Sequence, residues 1–165
     1  MRFLRDSNTF IEAKNRYYRP EFCPAYWDWL LDAHAVGELA SIERVGDELR
    51  RGHDDLAEWA RHHRDFFVDV TDEATQVAYS EVVNHVASAQ VGMRSGALAE
   101  FLSGADPWLI AKARATGATI VTHERSNSAS RRKFLIPNVA ASFGVACLDT
   151  FDLLGRSGAR FVLAA

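Results

Sequence analysis

Arg2-Phe3-Leu4-Arg5-Asp6-Ser7-Asn8-Thr9-Phe10-Ile11-Glu12-Ala13-Lys14 carries the change of pattern that decides the fold. Residues 2–6 read as a short strand in which Phe3 and Leu4 lead to an acid. Asp6 to Thr9 is a run of capping and turn-forming side chains, and Phe10 to Lys14 then reads as helix. Tyr17 to Pro20 breaks that helix. Strand, polar turn and helix recur further along. Pro24 suits the first turn of a helix over about Ala25 to Val36, with Tyr26, Trp27, Trp29, Leu30 and Leu31 as its apolar surface and Gly37 at its end. Leu39-Ala40-Ser41-Ile42 is a second strand, and Ser41 is a candidate cap for a helix on which Val45 and Leu49 share one face. Asp54 to Ala60 is helical, and Asp65 to Val70 reads as a connector. In Thr71-Asp72-Glu73 a cap and two early acids start a helix reaching about Ala89.

The second half repeats the scheme. Ala97 to Leu102 is a turn or short helix. Asp106 as cap and Pro107 at the first helical position start a helix that ends at Gly117. Ala118-Thr119-Ile120-Val121-Thr122 is a buried-strand run. Arg125 to Arg132 is polar and serine-rich, with mobility expected. Ile136-Pro137-Asn138 opens a short helix, Val145 to Leu148 is a strand, and Asp149 to Leu154 is a helix. Phe161-Val162-Leu163 is a candidate edge strand. Short apolar strands separated by helices predict an α/β domain with a parallel sheet and helices on both faces. Sites in such sheets form at the carboxyl ends of the strands.

The 165 residues suit a single domain, here taken as 1–165, and 48% hydrophobic with 25% charged residues excludes a disordered chain. Two cysteines, Cys23 and Cys147, exclude a disulfide-dense scaffold and read as reduced thiols. No run of 18 apolar residues and no signal-like segment occur, so a soluble cytoplasmic protein with no membrane partner is expected. The net charge of -3 is unevenly spread. Residues 1–20 carry a net +3, residues 21–124 a net -10, and residues 125–135 a net +4 from Arg125, Arg131, Arg132 and Lys133. Such a basic segment beside an acidic body could guide a phosphate backbone or be a solvated loop.

Acids fall where the chemistry of this fold class is placed. Asp6 ends the first strand, Glu124 lies just past Val121-Thr122, and Asp106 starts the helix leading into that strand. Glu48 is a fourth candidate, with Glu43 competing for the inward position. Clustered carboxylates repel unless a cation neutralises them, and hard oxygen donors without a His or Cys set suit Mg²⁺ or Mn²⁺. Such an ion activates water and neutralises charge developing on a phosphodiester. Each acid also has an ordinary reading, as turn former, helix cap or surface residue. The histidines form no metal motif; Glu81 and His85, spaced i, i+4, read as a helix-surface contact.

Asp6-Ser7-Asn8 after a strand resembles the opening motif of PIN-domain nucleases. Ser41 to Leu49 resembles their second-acid segment, Asp106-Pro107-Trp108-Leu109-Ile110-Ala111 the third, and Val121-Thr122-His123-Glu124 the fourth. Phe10 to Tyr18, Trp27 to Leu30, Phe101 to Ala111 and Ile136 to Val139 extend the likeness to a PIN-like family described as a domain of unknown function and related to the VapC toxins. The resemblance implies a PIN-like doubly wound fold and a Mg²⁺- or Mn²⁺-dependent endoribonuclease. It implies the toxin of a type II toxin–antitoxin pair, with an antitoxin as partner. Asp6, Glu48, Asp106 and Glu124 would be the catalytic metal-binding acids, with Asn8 and Thr122 orienting Asp6, the substrate or water. Water would attack phosphorus in line, leaving a 5′-phosphate and a 3′-hydroxyl. Lys14, Arg16, Arg125, Arg131, Arg132 and Lys133 would contact RNA or the antitoxin. A homodimer is plausible from the aromatic-rich first half.

Two residues depart from the family pattern. Glu124 stands where Asp is usual, and Arg5 stands in a strand where an apolar residue is usual. Three open readings for Arg5 are an ion pair with a site acid, a substrate contact and an exposed edge. The rival functions are a PIN-fold RNA- or partner-binding protein with weak or no cleavage, a phosphatase using a phosphorylated Asp, and a flap nuclease. Asn8 replaces the second acid the phosphatase needs, and the chain has little room for a flap nuclease's arch.

Overall fold

The computed structural model describes residues 1–162. Five strands, β1 (Phe3–Arg5), β2 (Leu39–Ile42), β3 (Phe67–Val68), β4 (Thr119–Val121) and β5 (Cys147–Leu148), form one sheet in the order β3-β2-β1-β4-β5. All four pairings are parallel, with Phe3 opposite both Leu39 and Thr119, and Arg5 opposite Val121. The chain winds outward from β1 in both directions, so the sheet is doubly wound and β1 is its centre. Such sheets have a crevice at the carboxyl ends of the strands where the winding reverses, and Asp6 directly follows β1.

The helices are α1 (Ser7–Glu12), α2 (Pro24–Ala35), α3 (Glu43–Arg50), α4 (Asp55–His62), α5 (Glu73–Ser88), α6 (Ala97–Ser103), α7 (Asp106–Thr116), α8 (Ile136–Ala141) and α9 (Thr150–Ser157). A wider π turn, Ala13–Tyr17, extends α1. Pro24 and Pro107 sit in the first turns of α2 and α7, where the missing N–H costs nothing. Buried Leu4, Phe10, Ile42, Val45, Leu109, Ile110, Ile120 and Ile136 belong to a single core between sheet and helices. On one side Phe10 meets Trp59, Phe66 and Phe67 with centroids 5.7 to 6.1 Å apart. Elsewhere Tyr79 of α5 stacks on Trp108 of α7. The α5–α7 contact is closed by Lys112, whose ammonium donates to Asp72 Oδ2 at 2.6 Å. That pair and the Thr75 bonds hold the Asp72 carboxyl down at about 2.

Several local expectations are corrected. Ser41 caps nothing; its hydroxyl donates to the Arg5 carbonyl at 2.5 Å and ties β2 to β1. Asp72, not Thr71, caps α5, accepting from the Thr75 N–H at 3.0 Å. Ala105 is the cap position of α7, so Asp106 lies inside the first turn and its carboxylate makes no cap bond. The connector at 65–70 contains β3, which two residues with no alternating pattern did not announce. Phe161 and Val162 form no strand, and Leu163 lies outside the described residues. The Arg125–Arg132 segment, for which mobility is expected, makes hydrogen bonds to its surroundings: Asn138 Oδ1 accepts from Ser126 Oγ and the Asn127 N–H, and Arg94 donates to the carbonyls of Arg131 and Arg132. Glu81 pairs with Arg114 at 2.6 Å rather than with His85, whose ring meets Phe143. Among the described residues no helix is long and apolar enough to cross a membrane.

Arg5 is at no edge and pairs with no site acid. It is fully buried beneath α1 and α2, its guanidinium 4.7 Å from the Phe10 ring centroid and 5.7 Å from that of Tyr26. Nε donates to Thr9 Oγ1 at 3.1 Å, while Nη1, Nη2 and the Tyr26 hydroxyl find no partner among the described residues. The aromatic faces supply cation–π attraction in place of an anion.

Candidate active site

The end of β1 sets the first carboxylate. The parallel register puts Asp6 beside Thr122: the Asp6 N–H donates to the Val121 carbonyl at 3.0 Å, and Thr122 Oγ1 donates to Asp6 Oδ2 at 3.0 Å. Asn8 Nδ2 approaches the same oxygen at 3.4 Å, and Ser7 Oγ donates to Oδ1 at 3.3 Å. Asp6 is buried, and burial pushes its carboxyl up to about 6 against the opposing Thr122 and Ser7 bonds, with Glu124 and Glu48 adding repulsion. Asp106 is pushed further, to about 8, by burial and then by Asp6, Glu124 and Glu48. Charges from α3 and the loop after β4 thus act on the carboxyls that follow β1 and open α7, although 118 positions of sequence separate Asp6 from Glu124.

Glu48 and Glu124 reach the cluster through backbone donors. Glu48 Oε1 accepts from the Ala105 N–H at 2.9 Å, which joins α3 to the start of α7. Of the two glutamates on α3, Glu48 is the one that bonds to the start of α7 and adds its charge to Asp6 and Asp106. Glu124 accepts at Oε2 from the Ile136 N–H at 2.8 Å, and at Oε1 from Lys133. Its extra methylene relative to Asp lets one carboxylate span the N-terminus of α8 and the Lys133 ammonium. Lys133 titrates higher than an ordinary lysine, held charged first by the Glu124 bond and further by Asp106 and Asp6. It opposes the rise at Asp106.

The donor set is all hard oxygen. Two of its carboxyls are held partly protonated by burial and repulsion, the electrostatic state that a small divalent cation relieves. Among the described residues no three acidic, histidine or cysteine side chains stand as a ready-made set around one ion. Glu48 and Glu124 are engaged by the donors just described.

The other predicted contacts are dispersed. Arg125, Arg131 and Arg132 are exposed in the loop after β4, and Arg132 and Lys133 line an open depression of about 650 Å³ with Arg94 and Asn127. Arg94 was missed because it lies in a loop remote in sequence. Lys14 is committed to Asp54 at 2.8 Å, beside a groove containing Trp27 and Trp59, and Arg16 is exposed. Cys23 and Cys147 are free thiols, and burial pushes Cys147 up to about 11, which leaves it inert.

A second cavity, about 480 Å³, adjoins the acids through Thr122 and Glu124. Glu12, Tyr17, His123, Asp149 and Phe151 line it. The neutral form of His123 is favoured mainly by burial, and its Nε2 lies 3.1 Å from Thr150 Oγ1. Of these residues the sequence singled out only His123.

Strand order and the acids at the winding reversal together define an α/β fold with PIN-like doubly wound topology. The chain belongs to the DUF4411 family, described as a domain of unknown function, whose model matches residues 3–161. Among solved structures it is similar to VapBC2 from Rickettsia felis, crystallised bound to a DNA fragment from their promoter. The TM-score is 0.53 at 17% identity, covering 90% of this chain and 98% of that one. FitAcB from Neisseria gonorrhoeae is also similar, with a TM-score of 0.49 at 17% identity over 88% of this chain and 96% of that one. Comparison with curated proteins gives no match.

Proposed function

We propose that this protein is a divalent-metal-dependent endoribonuclease and the toxin of a type II toxin–antitoxin pair. The observation that carries the proposal is the placement of buried Asp6 at the end of β1, tied to Thr122, and half-buried Asp106 in the first turn of α7, tied to α3 through Glu48, with Glu48 and Glu124 acting on both and the two Asp carboxyls pushed up to about 6 and about 8. Folding has concentrated negative charge at the crevice of a parallel sheet, at a cost in stability that a bound cation recovers. Asp6, Glu48, Asp106 and Glu124 would hold Mg²⁺ or Mn²⁺. When bound, the ion supplies an activated water and neutralises charge on the phosphodiester. Thr122 and Asn8 fix the Asp6 carboxylate by donating to Oδ2. Glu48 holds α7, and with it Asp106, against α3 through the Ala105 N–H. The exposed cations of the 125–133 loop attract the RNA backbone. The fold of VapBC2, a complex of two partners, supports a protein partner, and a second copy of this chain is a further candidate.

One observation favours the alternative, a PIN-fold RNA- or partner-binding protein with weak or no cleavage: Lys133 and the Ile136 N–H already occupy both oxygens of Glu124. Mn²⁺ and Mg²⁺ titration with labelled RNA, comparing wild type with Asp6→Ala, separates the two. Metal-dependent cleavage lost in the variant is expected. RNA binding without cleavage at any metal concentration would establish the alternative.

A further inference from the structure

The cavity beside the acids has a chemistry of its own. Tyr17 at the end of the π turn, His123 after β4 and Phe151 on α9 pack against one another on its wall, with Tyr17 and Phe151 meeting edge to face. Their centroids are 5.1 Å apart for Tyr17–Phe151, 5.9 Å for His123–Phe151 and 6.2 Å for Tyr17–His123. Tyr17 and Phe151 keep 43% and 46% of their surface in solvent, so aromatic area is left uncovered at the cavity. Core packing does not account for it. The polar side is unequal. Asp149 is committed as the cap of α9, accepting from the Asp152 N–H at 2.9 Å. Glu12 is half-buried on the cavity wall, and no side chain among the described residues pairs with it. Arg125 stands at the rim.

We propose that this cavity binds an unpaired guanine base of the RNA next to the scissile phosphate. Single-stranded RNA is read by stacking bases on aromatic side chains and hydrogen-bonding their Watson–Crick edges. Phe151 and Tyr17 offer stacking faces. Glu12 offers two acceptor oxygens and no donor, which matches the adjacent N1–H and N2–H of guanine. Adenine and cytosine present one donor group on that edge, and uracil flanks its single N–H with acceptors that a carboxylate repels. Thr122 and Glu124 line both this cavity and the acidic cluster, so a base held here carries its phosphate toward Asp6. The location beside the scissile bond rests on the ribonuclease reading, but base binding is measurable without cleavage.

The test uses the full chain and fluorescein-labelled nine-nucleotide RNAs, oligouridylate with a central G, A, C or U. Binding is read by anisotropy in Ca²⁺, and cleavage is read separately in Mn²⁺. The central-G RNA is expected to bind about tenfold tighter than the others. Phe151→Ala weakens it by roughly 5- to 150-fold, the range for removal of one stacking platform. Phe151→Trp retains the affinity, and Glu12→Gln removes the preference for G while leaving thermal unfolding unchanged. Equal affinity for all four RNAs, unaffected by Phe151→Ala in a folded variant, overturns the proposal. Metal-dependent cleavage together with that result leaves the ribonuclease reading standing alone. G-selective binding with no cleavage overturns the ribonuclease reading and keeps the base site.

Discussion

Replacing Asp106 with Asn should stabilise the metal-free protein while destroying metal binding. In the folded chain this carboxyl is raised from 3.8 to about 8 by burial and by Asp6, Glu124 and Glu48. At pH 7 the unfolded chain holds it ionised, whereas the folded chain holds it mostly protonated, so folding takes up a proton. With about 1.4 kcal/mol for each tenfold change in proton activity, the gap between pH 7 and 3.8 caps the cost at about 4 kcal/mol. Partial exposure and the sharing of protons with Asp6 reduce this to on the order of 2 kcal/mol. The sign is that of a raised acid: native-state stability falls as pH climbs from about 4 to about 8. Asparagine has the same shape and no charge. In EDTA, its Tm should equal that of wild type near pH 4 and exceed it by about 4–8 °C at pH 7, given about 2–4 °C per kcal/mol at this chain length. Mg²⁺ or Mn²⁺ should raise the wild-type Tm at pH 7 and leave the variant unmoved. Thermal unfolding by circular dichroism between pH 4 and 8 measures all of this. An Asn variant that is no more stable at pH 7 than at pH 4, relative to wild type, refutes the account of a repulsive acidic cluster.

Three further outcomes are expected. Lys133→Ala removes the cation that competes for Glu124 and should tighten Mn²⁺ binding by about 3- to 10-fold in calorimetric titration, since a unit charge a few ångströms away contributes on the order of 1 kcal/mol in a solvated site; unchanged affinity would show that Lys133 does not compete. Arg5→Met keeps the stem between Phe10 and Tyr26 and removes two unpartnered buried nitrogens, so urea denaturation should show a gain of about 1–3 kcal/mol; a loss would mean that the aromatic faces outweigh the burial cost. Gly46→Ala should lower stability by about 1–3 kcal/mol despite the better helix propensity of Ala. A Cβ there meets the Phe67 ring at 2.8 Å, and a more stable variant in the same denaturation assay would show that β3 yields freely.

Much of the fold is legible in the chain's local patterns. The apolar runs at 3–4, 39–42 and 118–122 make strands, and Pro24 and Pro107 mark helix starts, because both signals are local. The acids at 6 and 124 can be placed from sequence because side chains just past parallel strands share one edge of the sheet. β3 escapes such a reading because a two-residue strand has no period, and its pairing to β2 comes from the register Ser41–Phe67 and Ile42–Val68. Asp72 displaces Thr71 as a cap because Lys112, 40 residues away, and Thr75 converge on its carboxylate.

The sequence by itself determined the alternation of short strands and capped helices, a parallel sheet with helices on both faces, and which acids stand at strand ends, whereas the strand order came from the structure. The former depend on the chain's immediate neighbours, through apolar spacing and backbone donors. Only the tertiary structure decided that Glu48 bonds to the Ala105 N–H beside Asp106, that Lys133 and α8 hold Glu124, and that Arg5 lies against two aromatic rings. It alone brought Tyr17, His123 and Phe151 around one cavity. Each depends on where elements separated by tens of residues come to rest. Distance in space, not in sequence, sets both desolvation and Coulomb interaction.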